Sequence, residues 1–322
     1  MKTGLSLLLT LALALTMVFA IAMPAGAEGE NVTINLTYPG GQEEFVMFQE
    51  TIDSHARDLD GITVNVIHIP PGEYWNKVTT MFAGGSAPDL TFMSEPFPQF
   101  ASKGQLLPIE ETLTSMGKFN RGDWYPTGLD FFTYDGVLYG LPKDLNVYYT
   151  YYNADLFEAA GLATPKELAA EGKWNRDAFR EAANALTIRD GDKITQFGAA
   201  FPGFGDWWFS AWIFSGNGKY LNDDRTECLL SQPEAVNTFK WWMELALEDK
   251  VTPLPNTPSD ALTGISFQTG KIALEISGSW MNPANMANEF NWDVAPMPVV
   301  DGVGQDVSYV HVAGWSCAAA TA

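Results

Sequence analysis

From Asn31 to Tyr38 (NVTINLTY) apolar and polar positions alternate, with Val32, Ile34, Leu36 and Tyr38 on one side. That is the period of a half-buried strand. Pro39-Gly40-Gly41 ends it, and the period changes: Phe45, Phe48, Ile52 and Ala56 recur at helical spacing within Glu43 to Leu59. Ile62 to Ile69 is β-branched again and reads as a second strand, closed by Pro70-Pro71-Gly72. Tyr74 to Ala83 predicts a helix stopped by Gly84-Gly85, and Pro88 leads into a short strand, Leu90 to Met93. Strands alternating with helices argue an α/β unit with a mostly parallel sheet.

Farther along, Tyr134 to Leu141 holds Asp135-Gly136, a hairpin-type turn. Val147 to Tyr152 predicts a strand, Ala154 to Ala160 a short helix ended by Gly161, and Asn175 an N-cap for a helix over Arg176 to Leu186. Phe204 to Phe214 is dense in aromatics. Pro233 to Glu248 predicts a helix burying Ala235, Phe239, Trp242, Met243 and Ala246, so Trp242 reads as core. Phe267 to Leu274 reads as a helix end running into a strand, and Trp292 to Met297 and Tyr309 to Ala319 as strands.

The start of the chain follows a different pattern. Lys2 precedes an apolar stretch from Leu5 to Met23, then Pro24 and the small residues Ala25-Gly26-Ala27 before Glu28. This is the layout of a secretory signal peptide, with cleavage expected after Ala27. No Cys stands near that point, so a lipid-attachment box is absent from the sequence.

The 322 residues allow about two domains. With 46% hydrophobic residues the chain is globular. Its 18 Lys and Arg against 39 Asp and Glu give a net charge of −21. That argues against nucleic acid as a partner, since phosphate recognition needs a basic face, and against an anionic membrane surface. The 11 Trp, 11 Tyr and 20 Phe serve a core or a sugar-facing surface equally well. Two cysteines, Cys228 and Cys317, exclude a disulfide scaffold and are expected as two separate buried thiols, with a single Cys228–Cys317 bridge as the alternative.

Most catalytic signatures are missing. The sequence holds no P-loop and no G-x-S-x-G elbow, and His55, His68 and His311 are scattered without metal spacing, so no metal or cofactor is expected. Asp190-Gly191-Asp192 and Asp223-Asp224 begin no calcium loop and read as solvated turns. A glycosidase needs two facing carboxylates, and no local signature marks such a pair.

Four segments, taken in order, resemble a known family. They are Gly72 to Leu90 (GEYWNKVTTMFAGGSAPDL); Tyr134 to Asp144 (YDGVLYGLPKD) with Tyr151 to Phe157 and Ala160-Gly161; Trp174 to Phe179 (WNRDAF) with Ala185-Leu186-Thr187; and Phe267 to Ala273 (FQTGKIA) with Ser279-Trp280 and Val294 to Pro298 (VAPMP). Together they resemble the extracellular sugar-binding proteins of bacterial ABC importers, solute-binding family 1, the group that includes maltose-binding protein. The resemblance implies a type II periplasmic-binding-protein-like α/β fold: two lobes, each a mixed sheet flanked by helices, with the ligand cleft between them. Lobe one would be 28–142 plus 299–322 and lobe two 143–298. Members continue with further helices where this chain stops, so the resemblance also implies a C-terminally truncated chain without the closing helices.

The same resemblance nominates ligand-binding residues. Glu95 follows the strand Leu90 to Met93, where the family places an acid on sugar hydroxyls. Gln42, Glu43 and Glu44 follow the first strand at a place of polar sugar contacts, although acids there also suit a helix N-terminus. Asp144 and Asn146 lie where the chain first enters lobe two. Trp207, Trp208 and Trp212 fall at the aromatic subsite, Trp280 matches a stacking Trp, and Trp315 approaches the cleft on the returning strand. Asp89 reads as structural. The implied function is carbohydrate capture and delivery to an ABC permease by a non-enzymatic, exported, periplasmic or extracellular monomer. A receptor of the same fold for a non-sugar ligand and a secreted glycosidase are the alternatives.

Overall fold

The computed structural model describes residues 31–57, 59–191, 193–200, 209–224, 226–254, 257, 262–281, 290–300 and 310–319. The chain divides into two compact units. One comprises Met1–Phe92, Gly104–Leu107 and Ser316–Ala322, the other Met93–Lys103 and Pro108–Trp315.

In the first unit β1 (Val32–Pro39), α1 (Gln42–Ala56), β2 (Ile62–Ile69), α2 (Pro71–Ala83) and β3 (Leu90–Met93) follow in the order their periods predict. β1 pairs in parallel with β2, Val32 opposite Ile62 through Pro39 opposite Ile69, and with β3 on its other edge. Pro71 sits at the start of α2, where its missing N–H is no loss, and Tyr74 and Val78, one turn apart, are buried. Asp89 Oδ2 accepts from the Asn35 N–H at 2.7 Å and from its Nδ2 at 3.2 Å, tying the start of β3 to β1, the structural role its position suggested.

The second unit contains α3 (Phe97–Ala101), α4 (Glu110–Ser115), α5 (Pro126–Phe131), and the hairpin strands β4 (Thr133–Tyr134) and β5 (Val137–Leu138). A long strand, β6 (Gly140–Asn153), leads to α6 (Ala154–Ala160), α7 (Pro165–Ala170), α8 (Arg176–Ala185), β7 (Ile188–Asp190) and β8 (Lys193–Ala199). α9 (Phe209–Ser215), α10 (Pro233–Leu247), β9 (Ile272–Gly278), β10 (Trp292–Ala295) and β11 (Val310–Cys317) complete the described elements. The sheet is mixed: β6 is antiparallel to β9 and β10, β8 is parallel to β9, and β7 is antiparallel to β8. β11 is a neighbour of β6 in the same sheet.

The tyrosines of β6 divide between the two faces as the strand period requires. Tyr148 and Tyr152 join the larger core with Phe157, Phe179, Trp212 and Trp242, whereas Tyr151 joins a smaller one with Phe197 and Phe267. Asn175 caps α8 as expected, its Oδ1 accepting from the Ala178 N–H at 2.9 Å. Both cysteines are free, as two separate thiols, but neither is fully buried as expected: Cys228 is exposed and Cys317 is half-buried. No helix among the described residues is long and apolar enough to cross a membrane.

Candidate functional site

β3 ends in the fully buried Met93, and the chain turns at Ser94-Glu95-Pro96 into α3, whose Phe97 is also buried. The Phe97 N–H donates to the Ser94 carbonyl at 2.8 Å, so Glu95 stands on a turn pinned by apolar anchors on both sides. Its side chain is 26% exposed, and Oε1 lies 3.0 Å from Nε2 of His311 on β11. Facing a carboxylate oxygen, Nε2 carries the proton. Burial by itself would raise the Glu95 carboxyl. The His311 ring beside it and a bond from Ser94 outweigh it and hold the group below the ordinary carboxylate value.

The other face of His311 meets Trp280. The two rings are 5.2 Å apart and inclined at 65°, and Tyr148 braces the same indole edge-on at 5.3 Å. Trp280 follows β9 by two residues, and its six-membered ring folds back over Gly278. A Cβ at Gly278 would overlap that ring, so the indole's position requires glycine there. Gly314 in β11 is likewise pressed against the Leu141 carbonyl, which sets β11 close against β6.

From Trp280 a polar chain continues. Its neighbour Ser279 donates from Oγ to Asn146 Oδ1 at 2.9 Å, and Asn146 Nδ2 donates to Asp144 Oδ1 at 2.7 Å. Lys143 holds the second Asp144 oxygen at 2.5 Å. The Ser279 N–H donates to the Val147 carbonyl at 3.0 Å and fixes the turn. Four residues nominated from the sequence, Glu95, Asp144, Asn146 and Trp280, therefore stand along one connected series of contacts. His311, Ser279 and Tyr148 join them without having been nominated. The result is an aromatic ring flanked by carboxylates, an amide and a hydroxyl. Such a set suits a polyhydroxylated ligand with an apolar face.

The remaining nominees fall elsewhere. Trp212 is completely buried in the larger core, against Phe179, Trp241 and Trp242, so its ring faces no solvent. The sequence could not distinguish that packing from a subsite, because both use aromatic density. Gln42, Glu43 and Glu44 form the first turn of α1 in the first unit. Glu44 Oε2 accepts from the Gly41 N–H at 2.9 Å, a capping role, and Gln42 is exposed. Trp315 is half-buried near the end of β11. Trp207 and Trp208 lie outside the described residues. A cavity of about 620 Å³ elsewhere in the second unit, floored by Ile194, Phe197 and Ile265, includes none of the nominated residues. Among the described residues no group of three or more His, Cys, Asp or Glu could hold a metal ion.

Residues 56–320 match the profile of the bacterial extracellular solute-binding protein family. The chain belongs to that family. The α/β fold of the type II binding proteins, which the resemblance implied, is thus its fold class, and the family is one of exported binding proteins. Among relatives, the chain is 24% identical over 301 residues to the maltodextrin-binding protein of Bacillus subtilis (strain 168), covering 91% of this chain and 66% of that one. It is 26% identical over 246 residues to a binding protein of Brucella abortus (strain 2308), covering 73% of this chain and 55% of that one. The chain thus spans little more than half the length of the Brucella relatives it matches. Among solved structures, an ABC substrate-binding protein of Listeria monocytogenes in complex with cycloalternan superposes with a TM-score of 0.77 at 25% identity, over 89% of this chain and 71% of that one. The maltose/maltodextrin-binding domain of Bdellovibrio bacteriovorus bound to maltotriose shares the fold, with a TM-score of 0.72 at 21% identity over 89% and 72% of the two chains.

Proposed function

We propose that this solute-binding protein captures a carbohydrate and delivers it to the membrane permease of an ABC importer. The observation that carries this reading is the contact series Glu95, His311, Trp280, Ser279, Asn146 and Asp144. It sets hydrogen-bond acceptors beside an indole face. The sugars bound by the neighbours in the Listeria and Bdellovibrio structures support the same ligand class.

Trp280 stacks on the apolar face of the sugar, and Glu95, Asp144 and Asn146 take its hydroxyls. Trp315, Trp207 and Trp208, with Gln42, Glu43 and Glu44, are the further candidates for contact. Lobe one is 28–142 plus 299–322 and lobe two 143–298. A ligand that touches both lobes favours closed over open lobes, and that differential affinity is the whole mechanism. No chemical step is involved, and the protein is not an enzyme. The signal peptide is removed after Ala27, and the mature chain acts as a monomer in the periplasm.

The test is tryptophan fluorescence of the chain titrated with mono- and oligosaccharides. A saturable change with one sugar class, abolished in Trp280→Ala, is the expected result. A response to peptides alone indicates a non-sugar receptor of this family, and release of reducing ends from the sugar indicates a glycosidase. Either result overturns the reading.

A further inference from the structure

Glu95 and Trp280 stand far apart in the chain, yet one side chain touches both. His311 puts Nε2 3.0 Å from Glu95 Oε1 and turns its ring against the Trp280 indole. It is only 8% exposed, on a strand whose next residues, Val312 and Ala313, are buried at 3% and 1%. β11 is further fixed by the close approach of Gly314 to Leu141. The other histidines have no comparable place: His55 bonds within its own helix, and His68 meets the Gly40 carbonyl. An imidazole in so apolar a strand costs desolvation unless its polar atoms are used.

We propose that His311 is a positioning residue for ligand binding, which fixes the Glu95 carboxylate and the Trp280 indole in one geometry. The proposal rests on the carbohydrate reading of this site. With Oε1 engaged by His311, Glu95 offers Oε2 in a defined direction, so a sugar hydroxyl finds its acceptor already oriented. The same imidazole, opposite Tyr148, sets the tilt of the indole. Pre-ordering both groups removes an entropy cost that a ligand would otherwise meet on binding. Among the described residues His311 is the ionisable group acting on Glu95, and Ser94 is the other side-chain partner. Without His311, desolvation of the carboxyl is largely unopposed, and Glu95 takes up its proton at a higher pH.

The experiment uses the whole chain in three forms: wild type, His311→Phe, which keeps a ring against Trp280 but loses the donor, and His311→Gln, which keeps a donor but loses the ring. The Glu95 carboxyl is titrated by carbon-13 NMR without ligand. Calorimetry then measures affinity for maltotriose, mannotriose and cycloalternan at pH 7.5 and pH 5. In His311→Phe the Glu95 titration moves to higher pH. Affinity for whichever of these sugars binds wild type drops about tenfold at pH 7.5 and further at pH 5, while wild type binds alike at both. His311→Gln keeps the Glu95 titration near that of wild type and loses less affinity. A Glu95 titration unchanged in His311→Phe overturns the proposal, as does a moved titration with unchanged affinity. If none of the sugars binds wild type, the carbohydrate reading falls and the ligand half of this proposal falls with it, while the Glu95 titration still decides the pair.

Discussion

Two clusters in the second unit use the same kinds of residue for different ends. Around Trp212 stand the rings of Phe179, Trp241 and Trp242, and the guanidinium of Arg176 lies 5.9 Å from the Trp212 ring centre and 5.1 Å from that of Trp241. Around Trp280, Tyr148 and His311 enclose an indole beside the carboxylate of Glu95. In the first cluster the charge serves the interior. Arg176 Nη2 donates to the Trp212 carbonyl at 3.0 Å and to Thr238 Oγ1 at 3.1 Å, and burial pulls its pKa down to about 10. In the second the charge is held by a partner and still reaches solvent. An aromatic ring next to a charge is therefore not by itself a binding site. Accessibility and unused hydrogen-bonding capacity make the difference.

The comparison breaks most readily at Trp212. Trp212→Ala should destabilise the chain by about 3–5 kcal/mol, seen as a lower denaturant midpoint, while the fraction still folded binds sugar as wild type does. Loss of affinity without loss of stability would make the two clusters a single site. Trp280→Ala should do the reverse, lowering affinity about tenfold or more, or at least 1.4 kcal/mol, with a much smaller change in midpoint.

Glu95→Gln sharpens the contrast through pH. The folded Glu95 carboxyl lies below its ordinary value of 4.5. Its pair with His311 thus adds stability above the unfolded pKa and loses it as pH falls through the folded one. Thermal melts between pH 6 and pH 3 should show an acid limb in wild type that is shallower in Glu95→Gln, and the variant's sugar affinity should drop about tenfold at neutral pH. An unchanged acid limb would mean that the pair does not form in solution. The smallest expected effect is Ser279→Ala, a loss of affinity of about threefold or less by calorimetry, because its hydroxyl orients Asn146 from an exposed position.

What could be read from the sequence follows from the range of the interactions. The strands and helices of the first unit were legible because period and breakers are local. So were the helix caps at Asn175 and Gly161. β6 was read as Val147 to Tyr152 but runs from Gly140 to Asn153, because Pro142 and the polar Lys143 and Asp144 interrupt its alternation. The short helices α3, α4, α5 and α7 span at most six residues, too few for a period to register. Glu95, Asp144, Asn146 and Trp280 were nominated by the family resemblance, which places ligand contacts at their positions. His311 was not, since a lone imidazole in an apolar strand resembles core and its partner lies more than two hundred positions away. A buried polar residue in an otherwise apolar strand was the one available signal.

The hydrogen-bond chain from Ser279 through Asn146 to Asp144 also has a direction. The Ser279 proton is committed to Asn146, and an Asn146 amide proton to Asp144. The hydrogen-bonding capacity left at Ser279, Asp144 and Glu95 is thus lone pairs rather than protons. A molecule accommodated there must bring its own hydrogens, one for each oxygen it meets. Hydroxyls meet that condition and ethers do not, so a fully O-methylated sugar of the same shape would find the ring but not the edge.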